Sequence, residues 1–380
     1  MHERLMDGVT SLLSENGWDA VNAFAISKAA GTSTRPAYDR FPERSMVAVA
    51  FWNSRAKETL NKQLVPLWRQ VAGFVDGDVT NFLAGCEFIL SPSPEADGLT
   101  ELLLAAAFEE GLRGRITEHF EELLVAATGT ASPTDIDRAR SLYSWSLIIG
   151  LLVSNRRLHC RASEAATFLA MVAERLKVPA DPSQLPDDRA EFMALQVIQT
   201  GDPVRDAFLN ATLTGIATNG YRATTFESIT RDASVSEGAI FSRYKDKMTI
   251  LLEIIERRQR EAIQAGVDFQ RELMAKYETP IVNAISFREV FRPENRPAVN
   301  LAAEVERLAR QDSRLLARIN AAVAVIIEDA TASLSETDRM AMEGQLNLAL
   351  ALGVGTQTMA LFTEDGWKLP FDAVTGAVAR

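Results

Sequence analysis

Asn16-Gly17-Trp18-Asp19-Ala20, followed by Ile26, Ala30, Ser33, Tyr38, Arg40 and Phe41, returns 203 residues later. The second version reads Asn219-Gly220-Tyr221-Arg222-Ala223, followed by Ile229, Ala233, Ser236, Phe241, Arg243 and Tyr244. Between 16 and 40 there are 25 aligned pairs, of which seven are identical: Asn16/Asn219, Gly17/Gly220, Ala20/Ala223, Ile26/Ile229, Ala30/Ala233, Ser33/Ser236 and Arg40/Arg243. Ordinary composition would give about one or two. The same offset pairs Glu101 with Glu304, Arg115 with Arg318, Gly150 with Gly353, Leu158 with Leu361 and Phe168 with Phe371. A period this long is no solenoid unit, which runs to about 20–50 residues. It points to a duplicated whole unit whose two copies diverged most in their middles.

Each copy opens with a helix-turn-helix pattern. Leu5, Met6, Val9, Leu12 and Leu13 lay an apolar stripe on a helix over about 4–16. Asn16-Gly17 stops it, because glycine takes the left-handed conformation at little cost. Asn22 caps a second helix carrying Phe24, Ile26, Ala29 and Ala30, and Gly31-Thr32 turns the chain. Ser33 caps a short third helix, with Pro36 tolerated in its first turn. Tyr38 and Phe41 face the core, and Thr34, Arg35, Asp39 and Arg40 face out. In the second copy Phe208, Leu209, Leu213 and Ile216 line the first helix, Thr225 and Ser236 cap the next two, and Glu237, Gly238, Ser242 and Arg243 face out. A short helix with small or polar residues at its start can enter a DNA major groove. Capping hydroxyls and nearby Arg or Lys hold phosphates.

Composition sets the limits. Ala and Leu dominate a chain that is 47% hydrophobic, and no alternating strand pattern appears, so an all-α fold is expected. The net charge of −11 sits away from the two motifs. Residues 1–60 balance seven Lys/Arg against seven Asp/Glu, and residues 203–262 hold nine against eight. Acid elsewhere would repel non-specific contact with phosphates. The charged N-terminus has no signal-peptide core, and the longest apolar run, 147–153, is too short for a bilayer, so a cytoplasmic protein without membrane contact is expected. Cys86 and Cys160 have no metal or redox spacing and read as packing residues. His2, His119 and His159 lie far apart. His119 with Glu118 and Glu122 imitates a metal site but reads as a solvated helix face. Gly353-Val354-Gly355 follows no strand and is not a dinucleotide loop. No catalytic residue, metal or cofactor is expected.

Both motifs resemble the DNA-binding domain of the TetR family of transcriptional regulators. The family pattern appears as Gly17-Trp18, Asn22, Ile26, Ala30-Gly31-Thr32-Ser33, Pro36-Ala37-Tyr38, Phe41 and Arg44. It appears again as Gly220-Tyr221, Thr225, Ile229, Ala233-Ser234-Val235-Ser236, Ala239-Ile240-Phe241, Tyr244 and Lys247. Asn22 stands for the usual Thr, Pro36 for a common Thr, Arg44 for the phosphate-binding Lys and Phe241 for Tyr. The resemblance implies DNA contacts from Asn22, Ser33, Thr34, Arg35, Tyr38, Arg40 and Arg44. In the second copy it implies them from Thr225, Ser236, Glu237, Gly238, Phe241, Arg243, Lys245 and Lys247. The family normally has one such unit per chain and is dimeric; two units would let one chain imitate a dimer.

The expected division is a DNA-binding domain at 1–45, a helical regulatory domain at 46–177, a linker at 178–203, and a second pair at 204–248 and 249–380. Pro179, Pro182 and Pro186 break helix in the linker and Asp181, Asp187 and Asp188 solvate it, with a short helix possible over 189–199 through Phe192, Leu195 and Ile198. Segments 138–158 and 341–361 mix small and large apolar residues. They read either as core within each half or as a four-helix interface between halves with 162–177 and 368–380; the resemblance favours the interface. It also implies a pocket for a small apolar or amphipathic effector, for which Trp68, Phe82, Phe88 and Phe108, and Phe269, Tyr277, Phe287 and Phe291, are the candidate lining. The functional expectation is an effector-released repressor reading an asymmetric double-stranded operator, with a dimer of chains as a further option. The alternative is a ligand- or protein-binding protein that kept the fold and lost DNA reading.

Overall fold

Gly17 takes a φ of +71° and Gly220 one of +82°, and there the first helix of each half ends or kinks. In the computed structural model, which describes residues 1–158, 160–183, 185–190, 195–332 and 334–379, all regular structure is helical. The first half runs α1 (His2–Asn16), α2 (Ala23–Ala29), α3 (Arg35–Arg40) and a rod of α4 (Arg44–Phe51), α5 (Lys57–Thr59) and α6 (Val65–Val71). It continues with α7 (Val79–Leu90), α8 (Pro94–Ala105), α9 (Glu110–Thr128), α10 (Asp135–Ser154) and α11 (Ala162–Leu176). The second half runs α12 (Pro203–Ala223), α13 (Phe226–Ala233), α14 (Glu237–Phe241), α15 (Lys247–Met274), α16 (Thr279–Val290), α17 (Arg296–Ala309), α18 (Ser313–Thr331), α19 (Glu336–Ala360) and α20 (Phe371–Ala379). The starts of α13, α15 and α18 lie 203 residues after those of α2, α4 and α9. The divisions expected at 45/46 and 248/249 fall inside helices that run from head to body.

The two rods differ. Between α4, α5 and α6 lie π-helical turns at Trp52–Ala56 and Leu60–Leu64. Pro66, without an N–H, follows the second turn and cannot continue its α-helical ladder. The rod buries Trp52, Leu60, Leu64 and Trp68, and Trp68 stacks on Trp145 with centroids 5.0 Å apart. At the same offset the second half has Arg271 for Trp68, Leu348 for Trp145 and Val323 for Phe120. Its α15 is unbroken, and Val267 and Met274 are 44% and 57% exposed.

The main core fills the first half and takes in Phe287, Phe291, Val299, Ala351, Phe362 and Phe371 of the second. A separate core joins the second head to α15, α17 and α18. The most extensive helix pairing among the described residues joins α10 to α19, and α20 packs on both α10 and α11. Gly150 faces the Ala351 carbonyl and Gly355 the Ser146 carbonyl so closely that a Cβ on either would overlap it. The small residues of 138–158 and 341–361 therefore serve contact between the halves, with Gly355 rather than Gly353 at the close approach.

The linker is corrected in two respects. Its described residues within 189–199 form no helix, and Phe192 lies outside the described residues, as does His159. Asp187 and Asp188 are not merely solvated: Asp187 pairs with Arg292 at 2.5 Å, and Asp188 accepts from Lys276 at 3.0 Å and Tyr277 at 2.9 Å. Ala190 N donates to Glu289 at 3.0 Å. An extended segment has no hydrogen-bond ladder of its own, and here side chains of the second half supply partners. Among the described residues no helix is long and apolar enough to cross a membrane.

Candidate nucleic-acid interface

Local chemistry places the two reading helices. In the first head Asn22 Oδ1 accepts from Ala25 N at 2.9 Å, and Gly31 turns the chain with a φ of +60°. Ser33 does not cap α3. The helix starts at Arg35 behind Thr34, and Pro36 removes one of the two N–H groups that a Ser33 cap could use. In the second head Thr225 and Ser228 form a capping box, and Ser236 accepts from Ala239 N at 3.3 Å. Residue 239 matches 36 and keeps its N–H. Ser234, matching Gly31, holds the turn with a φ of +54°.

Ser33, Thr34, Arg35 and Arg40 are exposed, and Arg35 makes a 3.5 Å pair with Asp39. Tyr38 was expected to face the core and is instead 57% exposed, while Phe41 fills that role. Phe24 and Ala29 also face solvent rather than the core; Ile26 and Ser27 are the buried residues of α2. In α14 Glu237, Gly238 and Phe241 are exposed, with Phe241 against Phe226 at 4.8 Å. Arg243 pairs with Asp202 at 3.2 Å, and Lys245 is exposed.

Arg44 and Lys247, expected as phosphate-binding cations, each already hold a group of their own head. Arg44 Nη2 donates to the Trp18 carbonyl and its guanidinium lies 4.1 Å over the Trp18 ring. Lys247 Nζ donates to the Tyr221 carbonyl and lies 4.1 Å over the Tyr221 ring. Each satisfies a carbonyl where a helix exits, and stacking on the ring adds to the hold. Burial, and then the like charge of Arg222, push Arg44 down to about 10. Burial lowers Lys247 as well.

Sequence reasoning missed what anchors the heads. Glu101 on α8 accepts from Trp18 N at 2.9 Å, and Glu304 on α17 accepts from Tyr221 N at 2.6 Å. The matched glutamates were visible, but their partners lie 83 residues away. Arg307 holds Glu304 of its own helix at 2.8 Å and reaches across to Asp19 at 2.8 Å, and Arg310 reaches across to Glu101 at 3.4 Å and to Asp97. Burial pushes the Glu101 carboxyl up against the pull of Arg307 and Arg310. Phe108 packs on Gly220 and Gln311 on Gly17, so each head touches the opposite half through its glycine.

The candidate pocket aromatics are mostly core. Trp68 and Phe82 are buried, Phe88 packs against the same core, and Phe287 and Phe291 cluster with Phe371 at 4.6 and 5.6 Å. Phe269 packs beside Leu273, and Tyr277 is held by Asp188. Phe108 borders a crevice of about 360 Å³ between the heads. A larger open cleft of about 1500 Å³ lies between α11 and α18–α19, floored by Phe168, Met171, Val323, Ile327 and Leu348 and rimmed by Arg175 and Arg339. It has one aromatic, so an aromatic count could not find it. His119, expected on a solvated face, is buried, with Nε2 2.8 Å from Asn61 Oδ1.

A helical head with a capped, exposed third helix has the form of a helix-turn-helix DNA-binding domain. The family described as bacterial regulatory proteins, tetR family, matches residues 208–254, which form the second head and the start of α15. The match supports a DNA-binding regulator of that family. No curated protein matches the chain.

Proposed function

We propose that this chain is a transcriptional repressor in which two tandem units of the matched family imitate a dimer. The observation carrying this is the repeated anchor: Glu101–Trp18–Arg44 in one half and Glu304–Tyr221–Lys247 in the other, at one offset and with one set of contacts. Related surfaces that once paired between subunits would now pair within a chain. The heads would enter successive major grooves, about 34–36 Å apart or somewhat more. Arg35 on one reading helix and Glu237 on the other favour different bases, so the operator would be asymmetric. The cleft between α11 and α18–α19 is the proposed place for an apolar or amphipathic effector. A ligand there releases DNA only through different affinity for bound and free states.

A gel shift with the DNA upstream of the chain's own gene tests this, with the complex weighed by light scattering. The expected species holds one 41.7 kDa chain per site. Absence of a shift would favour a protein that kept the fold and reads no DNA. A symmetric site occupied by two chains, each through one head, would defeat the imitation of a dimer.

A further inference from the structure

The crevice between the heads is built from both halves and has polar groups left without partners. Phe108 supplies aromatic surface, and Asp19, Arg44, Glu109 and Arg222 line the same space, with Asp19 paired to Arg44 at 3.5 Å. Arg307 is also present but is occupied by Glu304 and Asp19. Arg44 Nε is buried with no hydrogen-bond partner. Arg222 is exposed and has no ion-pair partner among the described residues. Glu109 accepts one long bond, 3.3 Å from Trp18 Nε1. An exposed guanidinium without an ion-pair partner, a carboxylate with one long bond and the Phe108 ring in one crevice are complementary to a small zwitterion with a flat ring.

We propose that this crevice binds an aromatic α-amino acid. Its carboxylate faces Arg222, its ammonium faces Glu109, and its ring lies against Phe108. The volume of about 360 Å³ is at the small end of ligand pockets, which run to about 300–1000 Å³, and suits a compact ligand. Carboxylate on guanidinium and ammonium on carboxylate are charge-assisted bonds, stronger than neutral ones. Residues of both halves meet there, so an occupied crevice would hold the heads at one separation. That consequence for DNA rests on the two-headed reading; binding itself does not.

The test is calorimetric titration of the full chain with L-phenylalanine and with L-tryptophan. Benzoate and phenethylamine, which carry one charge each, serve as comparators. Saturable one-site binding is expected with at least one of the amino acids. It should weaken by at least about tenfold in Arg222→Ala and in Glu109→Gln, and by a similar factor for each comparator. Thermal unfolding without ligand checks that each variant folds as the parent does. No saturable heat up to about 10 mM of either amino acid overturns the proposal, as does parental affinity in Arg222→Ala. Binding by a chain that shifts no DNA would leave the site standing and remove the two-headed reading alone.

Discussion

Arg307 Nη2 donates to Asp19 Oδ2 at 2.8 Å, and this bond ties the body of the second half to the head of the first. The same guanidinium holds Glu304, which in turn holds the backbone of Tyr221 in its own head. One buried cation therefore stands between both reading motifs. Burial pushes the Asp19 carboxyl up, but Arg307 and then Arg44 outweigh it and hold the group below its ordinary range.

Arg307→Met should destabilise the chain by about 3–5 kcal/mol, because it leaves Glu304 unpaired in the interior. Arg307→Lys should recover part of that. Urea unfolding measures both. If Arg307→Met unfolds at the parent's midpoint, the cluster does not bind the halves together.

The α10–α19 crossing gives a prediction with an internal control. Gly150→Ala and Gly355→Ala each drive a methyl into a carbonyl of the facing helix and should cost about 1–3 kcal/mol or more. Gly353→Ala meets nothing within 4 Å and should be neutral or stabilise by about 0.5–1 kcal/mol, as alanine favours a helix. Equal melting temperatures for the three variants would refute backbone contact at 150 and 355.

That pair of glycines also marks how far the sequence could be read. Local signals were legible: Gly17 and Gly220 at helix exits, Asn22, Thr225 and Ser236 as caps, and a register that places α18 at the offset of α9. Ser33 is no cap because α3 begins one residue later, behind Thr34, a shift of register that no local pattern marks. The anchors were hidden because Glu101 and Arg307 act through partners far along the chain, which no local pattern encodes. The aromatics misled because a ring counts equally toward a filled core and a pocket. The second half is more open where it lacks rings.

The surface cations should separate into two kinds. Lys245→Ala should weaken binding to all DNA sequences and flatten the salt dependence by about one unit, as for an exposed phosphate contact. Lys247→Ala should instead lower the melting temperature, since its ammonium already holds the Tyr221 carbonyl and ring. Arg35→Ala should cost roughly 1–3 kcal/mol on the half-site read by the first head and leave the other half-site unaffected. Affinity measured against salt concentration, on operators mutated in one half-site at a time, checks all three. A flattened salt slope in Lys247→Ala with unchanged stability would return that residue to the phosphate surface.

His119 links α9 to the rod. Its Nε2 lies 2.8 Å from Asn61 Oδ1, its Nδ1 3.1 Å from Glu122, and its ring meets Trp52 edge-on at 5.9 Å. Trp52 and Asn61 belong to the two π-helical turns. Burial, aided by Lys57, lowers the imidazole's pKa against the pull of Glu122. The unfolded chain, with a histidine near its ordinary value of about 6.5, then binds more protons than the fold just below that pH. Stability from this group is complete above about pH 6.5, falls as pH drops toward the depressed folded value, and levels off below it. Replacing His119 by Gln should flatten the melting temperature between about pH 7 and pH 5, ahead of the carboxylate titrations. Calorimetric scans across that range provide the measurement. A variant that keeps the parent's slope there would show that the neutral imidazole carries none of it.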